Sequence, residues 1–359
     1  MAFRVLSIDG GGMRGIYTST FLAEVEKAFA HKRSCVDGLD IGKAFQLIVG
    51  TSTGAIIGCG LAKGASPSTM AKLYKDHGPL IFPKKIPSSI GCDLAAQMLT
   101  RPRYLEQGDK AFRNALEDVF GEITLRHIWE DRHIALAIPA VNMSNFRSWV
   151  FKTPHDPGSN HRDDNYTLVD ICLASSAAPL FRSLAAIDHP DNGNYDVFTD
   201  GGLWANNPVI VALAEALRMV PENEEEIDIF CLGSCGKPEG NIIKKDAVHR
   251  GLLEWKFGAT VTNVSIAAQE YAFDMIASFL IPHFKKKIKI TRFPADKIPG
   301  DMLQYLDLDE TRAEGLEALI RQARSDANTC NSEIQRCSND GLAIKDLFNI
   351  MPERQIITG

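Results

Sequence analysis

The chain lacks the features that mark membrane, fibrous and disordered proteins. No stretch reaches the roughly 18 uncharged apolar residues of a membrane-spanning helix, and no Gly-x-y period suggests a collagen. The formal net charge of −6 over 359 residues argues against a broad nucleic-acid-binding surface. The first nine residues hold too short an apolar stretch for a secretory signal. With 45% hydrophobic and 23% charged residues, the composition predicts a folded, cytoplasmic protein.

Cysteine and histidine clusters are also missing. The 8 cysteines are scattered along the chain, and the closest pair, Cys231 and Cys235, has no His or Cys neighbours that would complete a zinc site. Free cysteine is commonly a small core residue. We therefore predict reduced, mostly buried cysteines and neither a metal nor a cofactor for catalysis.

Short apolar runs alternate with helical patterns through the first two-thirds of the chain. The predicted strands cover residues 3–8, 45–49, 133–141, 149–152, 197–199 and 227–232. The predicted helices cover residues 16–29, 55–63, 67–74, 108–120, 168–178, 208–219, 258–280 and 309–337. Alternation of this kind predicts an α/β fold whose mostly parallel sheet is covered by helices on both faces.

Two segments interrupt the alternation. Residues 78–103 contain four prolines, which favours an irregular connection or a lid. After residue 237 the pattern weakens, so we place the end of the catalytic domain near residue 240. Residues 1–240 then form the catalytic domain, and residues 241–359 form a mainly helical region that completes the fold or regulates it.

The first predicted strand ends in a glycine-rich loop, Asp9-Gly-Gly-Gly-Met-Arg-Gly15. Gly10, Gly12 and Gly15 match G-x-G-x-x-G, a pattern that by itself is weak evidence for a dinucleotide. A dinucleotide site would also need an acidic residue after the second strand, and the sequence there is Val49-Gly50-Thr51-Ser52. The loop is therefore interpreted as a nest of backbone N–H groups that suits an anion, including the oxyanion of acyl transfer.

Two further turns follow predicted strands. Gly50-Thr51-Ser52-Thr53-Gly54 is a G-x-S-x-G sequence, in which a serine on a sharp strand-to-helix turn is exposed as a nucleophile. The alternative is an ordinary turn that caps a helix. Asp200-Gly201-Gly202 follows the strand at 197–199, and its alternative is a simple Asp-Gly turn. Strand ends are where open α/β sheets place their sites.

A serine nucleophile requires a base. His249 and His283 are the histidines that follow Asp200, and neither adjoins a strand-end glycine turn. The other candidate is Asp200 itself, which would take the Ser52 proton directly. An aspartate of ordinary pKa is a weak base, so this dyad needs a desolvated carboxylate or a strong oxyanion site.

These motifs resemble those of patatin-like phospholipases. The resemblance also includes Ala174-Ser-Ser-Ala-Ala-Pro179 and Trp204-Ala-Asn-Asn-Pro208, and it covers roughly residues 3–235. It implies a three-layer αβα fold, hydrolysis of lipid acyl esters without a metal, and a Ser52–Asp200 dyad. The implied site residues further comprise the oxyanion loop Gly10, Gly11, Gly12, Met13, Arg14 and Gly15, the elbow residues Gly50, Thr51, Thr53 and Gly54, and Gly201 and Gly202. Arg14 would hold the glycine loop or meet the lipid phosphate.

A finer similarity is to bacterial patatin-like effectors of anti-phage signalling, which a cyclic dinucleotide activates. It implies such an activator, action at the inner face of the membrane, and a homo-oligomer on activation. The cations Lys285, Lys286, Lys287, Lys289 and Arg292 are candidates to meet phosphates or anionic headgroups, and the alternative is a solvated basic face.

Two apolar stretches are candidates for a membrane-facing surface. Leu80, Ile81 and Phe82 lie among prolines, and Phe279, Leu280 and Ile281 precede the lysines. Apolar residues beside lysines suit an interface, whereas internal packing is the alternative. Two other functions stay open at this point. They are a nucleotide-dependent oxidoreductase that uses the G-x-G-x-x-G loop, and a non-catalytic lipid-binding module.

Overall fold

The structure, a computed structural model, describes residues 2–87, 92–190, 193–221, 226–235, 243–255, 258–294 and 298–354. In these ranges eight strands form one mixed sheet of order β5-β6-β3-β2-β1-β7-β8, with β4 paired to β3. The strands are β1 (Phe3–Ile8), β2 (Leu47–Gly50), β3 (Ala135–Asn142), β4 (Arg147–Lys152), β5 (Ala185–Asp188), β6 (Tyr195–Asp200), β7 (Ile227–Leu232) and β8 (Ile288–Phe293).

Eleven helices accompany these strands in the described ranges. They are α1 (Gly15–Lys32), α2 (Thr53–Lys63), α3 (Pro67–Ile81), α4 (Cys92–Phe120), α5 (Leu125–His127), α6 (Leu168–Ser175), α7 (Gly202–Ala205), α8 (Val209–Met219), α9 (Ala259–Leu280), α10 (Ala313–Arg336) and α11 (Asn339–Ile350).

Helices cover both faces of the sheet, as the alternation predicted. The five strands β3, β2, β1, β7 and β8 run parallel, and successive residues of β1 enter opposite cores. Leu6 packs in the core that includes α1, α2 and α10, whereas Val5 packs in the core beneath α8. Because both faces are buried, the inner strands β3, β2, β1 and β7 are mostly apolar. The result is the expected three-layer αβα architecture.

One edge of β3 brings two strand ends together. The first half of β3 pairs in parallel with β2, and its second half pairs antiparallel with β6. Both halves use the same edge of β3, since β4 occupies the other. β2 and β6 therefore run along that edge toward each other. The residues that follow Gly50 consequently meet the end of β6 at Asp200.

The irregular segment predicted over residues 78–103 is shorter in the structure, where residues 82–87 are non-helical. α3 continues to Ile81 with Pro79 in its last turn, and α4 begins at Cys92 and includes Pro102; residues 88–91 lie outside the described ranges. Proline removes one helical hydrogen bond, and the packing of α3 against α1 and α4 offsets that loss.

The sequence patterns did not predict β5, β8 or α11. β8 contains the predicted basic residues Lys289 and Arg292, and it lies at the edge of the sheet beside β7. Charged side chains are common on edge strands, which is why the segment did not resemble a buried strand. The chain after residue 240 thus adds a strand to the same sheet, and α10 packs along α1. None of the seven cysteines whose side chains the structure describes forms a disulfide, and five of them are buried.

Candidate active site

Ser52 lies on a sharp turn between β2 and α2. Its backbone adopts φ 55° and ψ −118°, a conformation that non-glycine residues rarely adopt. The turn is possible because a side chain at Gly50 would collide with the carbonyl group of Gly54, and one at Gly54 with that of Ile8. The Ser52 N–H donates to Ser175 Oγ at 2.9 Å. The strained turn thus aims a serine hydroxyl away from the sheet.

Asp200 receives the hydrogen bond of that hydroxyl. Ser52 Oγ donates to Asp200 Oδ2 at 2.8 Å, and the Gly202 N–H donates to Asp200 Oδ1 at 2.6 Å. Both oxygens of the carboxylate are therefore oriented, one of them toward the serine. The meeting of β2 and β6 places together two residues that are 148 positions apart.

Burial changes the acidity of Asp200. The residue is 3% exposed, and desolvation raises the pKa of its carboxyl from 3.8 to about 7. The hydrogen bonds from Gly202 and Ser52 and the charge of Arg182 oppose that rise. A carboxylate with a pKa near the working pH is suited to accept a proton, which is the desolvated aspartate that the dyad hypothesis required.

The glycine loop contributes fewer donors than the motif predicted. The N–H groups of Gly10, Met13, Arg14 and Gly15 donate to backbone carbonyls, among them Leu308 O at 2.9 Å from Met13 N. For Gly11 and Gly12 the described residues contain no acceptor. Both line the same cleft as Ser52. The candidate oxyanion donors therefore narrow from six residues to Gly11 and Gly12.

The side chain of Arg14 folds back onto this loop. Its Nε donates to Gly11 O at 3.2 Å and its Nη1 to Cys235 O at 3.1 Å, while Nη2 lies 3.7 Å from a carboxylate oxygen of Glu270. The side chain is buried. These contacts favour the loop-holding role for Arg14 over contact with a lipid phosphate.

Three of the five predicted cations, Arg292, Lys286 and Lys287, bond to different groups of the protein. Arg292 Nη1 donates to Asp9 Oδ2 at 2.6 Å and its Nη2 to Asp274 Oδ1 at 2.8 Å. Lys286 Nζ donates to the carbonyls of residues 220 and 221, and Lys287 pairs with Glu226. The expectation that Arg292 meets phosphates is therefore wrong, because this cation supports the residue before the glycine loop. Burial raises the pKa of Asp9 to about 7, against the opposing charge of Arg292.

An apolar cleft with an empty volume of about 580 Å³, including its open mouth, leads to Ser52. Its lining comprises Gly11, Gly12, Met13, Ser52, Thr53, Ile56, Tyr74, Ile81, Phe82, Phe112, Ser176, Ala178, Phe181, Arg182, Asp200, Asn206, Ile266 and Leu308. Ile81 and Phe82 thus line the cleft, which favours the internal-packing alternative for these two residues over a membrane-facing surface. Leu80 alone of that stretch is exposed.

Arg182 was not singled out in the sequence. It is buried beside the cleft, its Nη2 donates to Asp109 Oδ1 at 3.2 Å, and its guanidinium carbon lies 4.2 Å from the centre of the Phe112 ring. Burial lowers the pKa of Arg182 to about 10. No local motif predicts a role for this residue, because its proximity to Asp200 arises only from folding.

The alternative bases do not reach the serine. His249 and His283 are both exposed, and within the described residues neither lines the cleft nor bonds to Ser52. Across the same residues, no group of three His, Cys, Asp or Glu side chains is placed to hold a metal ion.

Taken together, the αβα sheet, the serine at a strand-to-helix elbow and the apolar cleft define a lipid acyl hydrolase. The chain belongs to the patatin-like phospholipase family, whose model matches residues 6–213. Phospholipases are hydrolases, so the family excludes the alternative that the glycine loop serves a nucleotide-dependent oxidoreductase.

Three curated relatives are similar in sequence to this chain over most of its length. It is 31% identical over 331 residues to a cGAMP-activated phospholipase of Vibrio cholerae, covering 89% of each chain. It is 29% identical over 344 residues to one of Escherichia coli, covering 94% of this chain and 92% of the relative. It is 32% identical over 275 residues to a cGAMP-activated phospholipase of Pseudomonas aeruginosa, covering 76% of this chain and 73% of the relative.

Proposed function

We propose that Ser52 and Asp200 are the catalytic dyad with which this phospholipase cleaves acyl esters of membrane phospholipids. The observation that carries the proposal is the 2.8 Å hydrogen bond from Ser52 Oγ to the buried Asp200 carboxylate. Both residues line an apolar cleft suited to an acyl chain.

Acylation begins when Ser52 Oγ attacks the ester carbonyl carbon and its proton passes to Asp200 Oδ2. Negative charge develops on the carbonyl oxygen, and the N–H groups of Gly11 and Gly12 stabilise it. The ester C–O bond then breaks, and the departing lysolipid oxygen takes the proton from Asp200. The fatty acyl group remains as an ester on Ser52.

Deacylation repeats these steps with water. Asp200 accepts a proton from the water as its oxygen attacks the acyl carbonyl, and the same N–H groups hold the oxyanion. When the Ser52–acyl bond breaks, Ser52 Oγ recovers the proton from Asp200 and a free fatty acid leaves.

Replacement of the serine tests the nucleophile. Ser52→Ala should abolish reaction with a serine-directed fluorophosphonate and lower phospholipid hydrolysis by several orders of magnitude. Ser176→Ala is the matched control, since Ser176 lines the same cleft and its Oγ donates to Cys172 O. Labelling of wild type and of Ser176→Ala, with none of Ser52→Ala, supports the assignment. No labelling of wild type would favour the non-catalytic lipid-binding module.

We further propose that a cyclic dinucleotide activates this enzyme in the cytoplasm, at the inner face of the membrane, during anti-phage defence. The support is the name cGAMP-activated phospholipase carried by three relatives, and the need for an off-state in an enzyme that would otherwise destroy its host membrane. An activator must bind the active state more tightly than the resting state, and a ~100-fold preference supplies about 2.7 kcal/mol.

The assay for this regulation is phospholipid turnover with and without a panel of cyclic di- and trinucleotides. We expect low basal turnover that rises with cGAMP, and sedimentation of the same samples would detect assembly into a homo-oligomer. A panel that neither binds in calorimetry nor raises turnover refutes the regulation and leaves the Ser52–Asp200 chemistry standing.

A further inference from the structure

The helix α9 presents an apolar stripe to solvent. Val261, Val264, Tyr271, Met275 and Phe279 are 52%, 55%, 71%, 51% and 67% exposed, respectively. Their spacing of three, four and seven residues places them on one side of the helix, over about 27 Å of its length. Exposed apolar surface of this extent marks an interaction site.

The opposite side of α9 holds the catalytic loops. Gln269 Oε1 accepts from the Asn206 N–H at 2.8 Å, and Gln269 Nε2 donates to Gly202 O at 2.9 Å. Asp274 Oδ1 accepts from Asn207 Nδ2 at 2.8 Å and also pairs with Arg292. The two carboxylates of α9, Glu270 and Asp274, thus lie on this inner side. The inner side combines these polar contacts with apolar residues packed in the cores, Ile266, Phe273 and Ala277. The solvent side carries the apolar stripe, whereas an ordinary surface helix is polar there.

The segment Ala259–His283 has the length and apolar composition to cross a membrane, and only 11% of its most apolar window is buried. Crossing would separate Gln269 and Asp274 from the loops that they hold. The inner contacts therefore favour a helix that lies along a surface with its stripe facing outward.

We propose that the outer stripe of α9 docks the enzyme on an anionic phospholipid membrane. This inference rests on the proposed function, since the substrate would lie in that membrane. The same helix also reaches the cleft, because Ile266, buried on its inner side, lines the cleft together with Ser52.

Charge supports the same partner. α9 carries no charged residue on its stripe. Before the helix, the cations Lys244, Lys245 and Arg250 outnumber the acids Asp246 and Glu254, and the exposed Lys285 follows it. Apolar side chains flanked by lysines match the acyl and headgroup layers of an anionic bilayer.

Vesicle binding separates docking from chemistry. In a Ser52→Ala background, co-sedimentation with phosphatidylglycerol–phosphatidylethanolamine vesicles is measured with and without cGAMP. Adding Tyr271→Ser and Phe279→Ser should weaken binding at least about tenfold, because two aromatic side chains lose their burial in lipid. Phe146→Ser is the matched control, since Phe146 is an even more exposed aromatic residue, at 81%, on the β3–β4 turn. It should bind like its parent.

In the Ser52-intact enzyme, the stripe double variant should lower the ratio of vesicle hydrolysis to soluble-ester hydrolysis about tenfold. A parent protein that stays unbound in both conditions overturns the proposal, as does equal binding by the stripe and Phe146 variants. Unchanged vesicle binding together with loss of a wild-type dimer would assign the stripe to a second copy and also overturn it. Because the binding readout needs no catalysis, an error in the dyad assignment would leave this result intact.

Discussion

Asp200→Asn is the sharpest test of the dyad, because it preserves shape while removing the base. The asparagine Oδ1 can keep the hydrogen bond from the Gly202 N–H, and its Nδ2 would then face Ser52 Oγ as a donor. The serine could no longer pass its proton to this side chain. Loss of a general base costs 10²- to 10⁴-fold, so we expect kcat/KM for a soluble short-chain ester to fall about 10³-fold, which corresponds to about 4 kcal/mol of transition-state stabilisation.

Stability should move in the opposite direction. Burial raises the pKa of Asp200 from 3.8 to about 7, so the folded state retains a proton that the unfolded state releases. Stability from this group is therefore fully present below pH 4 and is lost as the pH rises through 7. The loss reaches about 4 kcal/mol above pH 7, and neutral asparagine avoids it. Urea denaturation at pH 5 and pH 8 should show that the free energy of unfolding of Asp200→Asn, relative to that of wild type, is higher at pH 8 than at pH 5.

Control variants distinguish Asp200 as the base from a histidine base and from a structural role of Asp200. Asp196→Asn changes a half-buried aspartate of the same strand and should keep activity. His249→Ala and His283→Ala should also stay active. Activity of Asp200→Asn within tenfold of wild type, or a crippled histidine variant, would refute the dyad. Joint loss of activity and stability at pH 8 would show that Asp200 acts as a structural residue.

Three further predictions concern the surroundings of the dyad. The kcat/KM for a soluble ester should rise with pH through an apparent pKa of about 7, because Asp200 accepts a proton only when ionised; a profile flat from pH 5 to 8 would contradict this. Gly50→Ala should destabilise the protein by at least ~2 kcal/mol in urea denaturation, since its side chain meets the Gly54 carbonyl, and wild-type stability would disprove the close approach. Arg292→Gln should cost about 3 kcal/mol at pH 8 by leaving the buried Asp9 carboxylate without its ion pair. The loss should be smaller at pH 5, where Asp9 is protonated, and an equal loss at both pH values would argue against this pairing.

The locally encoded parts of the site were predictable from the sequence. Ser52 and the glycine loop follow short apolar runs, and Asp200 ends another. Apolar runs and glycine turns are constraints within a few residues, so they identify strands and the turns after them. The αβα layering follows for the same reason, because strands that are apolar throughout must be covered on both faces.

The tertiary structure decided which of these turns meet and what each polar group does. β6 reaches Ser52 because it runs antiparallel along the edge of β3, which no local pattern specifies. Distant parts of the chain accept the N–H groups of Gly10 and Met13, at Asn206 O and Leu308 O, so the loop sequence alone does not show that Gly11 and Gly12 are the candidate donors. Arg292 belongs to Asp9 rather than to a phosphate, although the two are 283 positions apart. α9 has helical periodicity in the sequence, but only its contacts reveal that its apolar side faces outward, since those contacts join residues far apart in the chain.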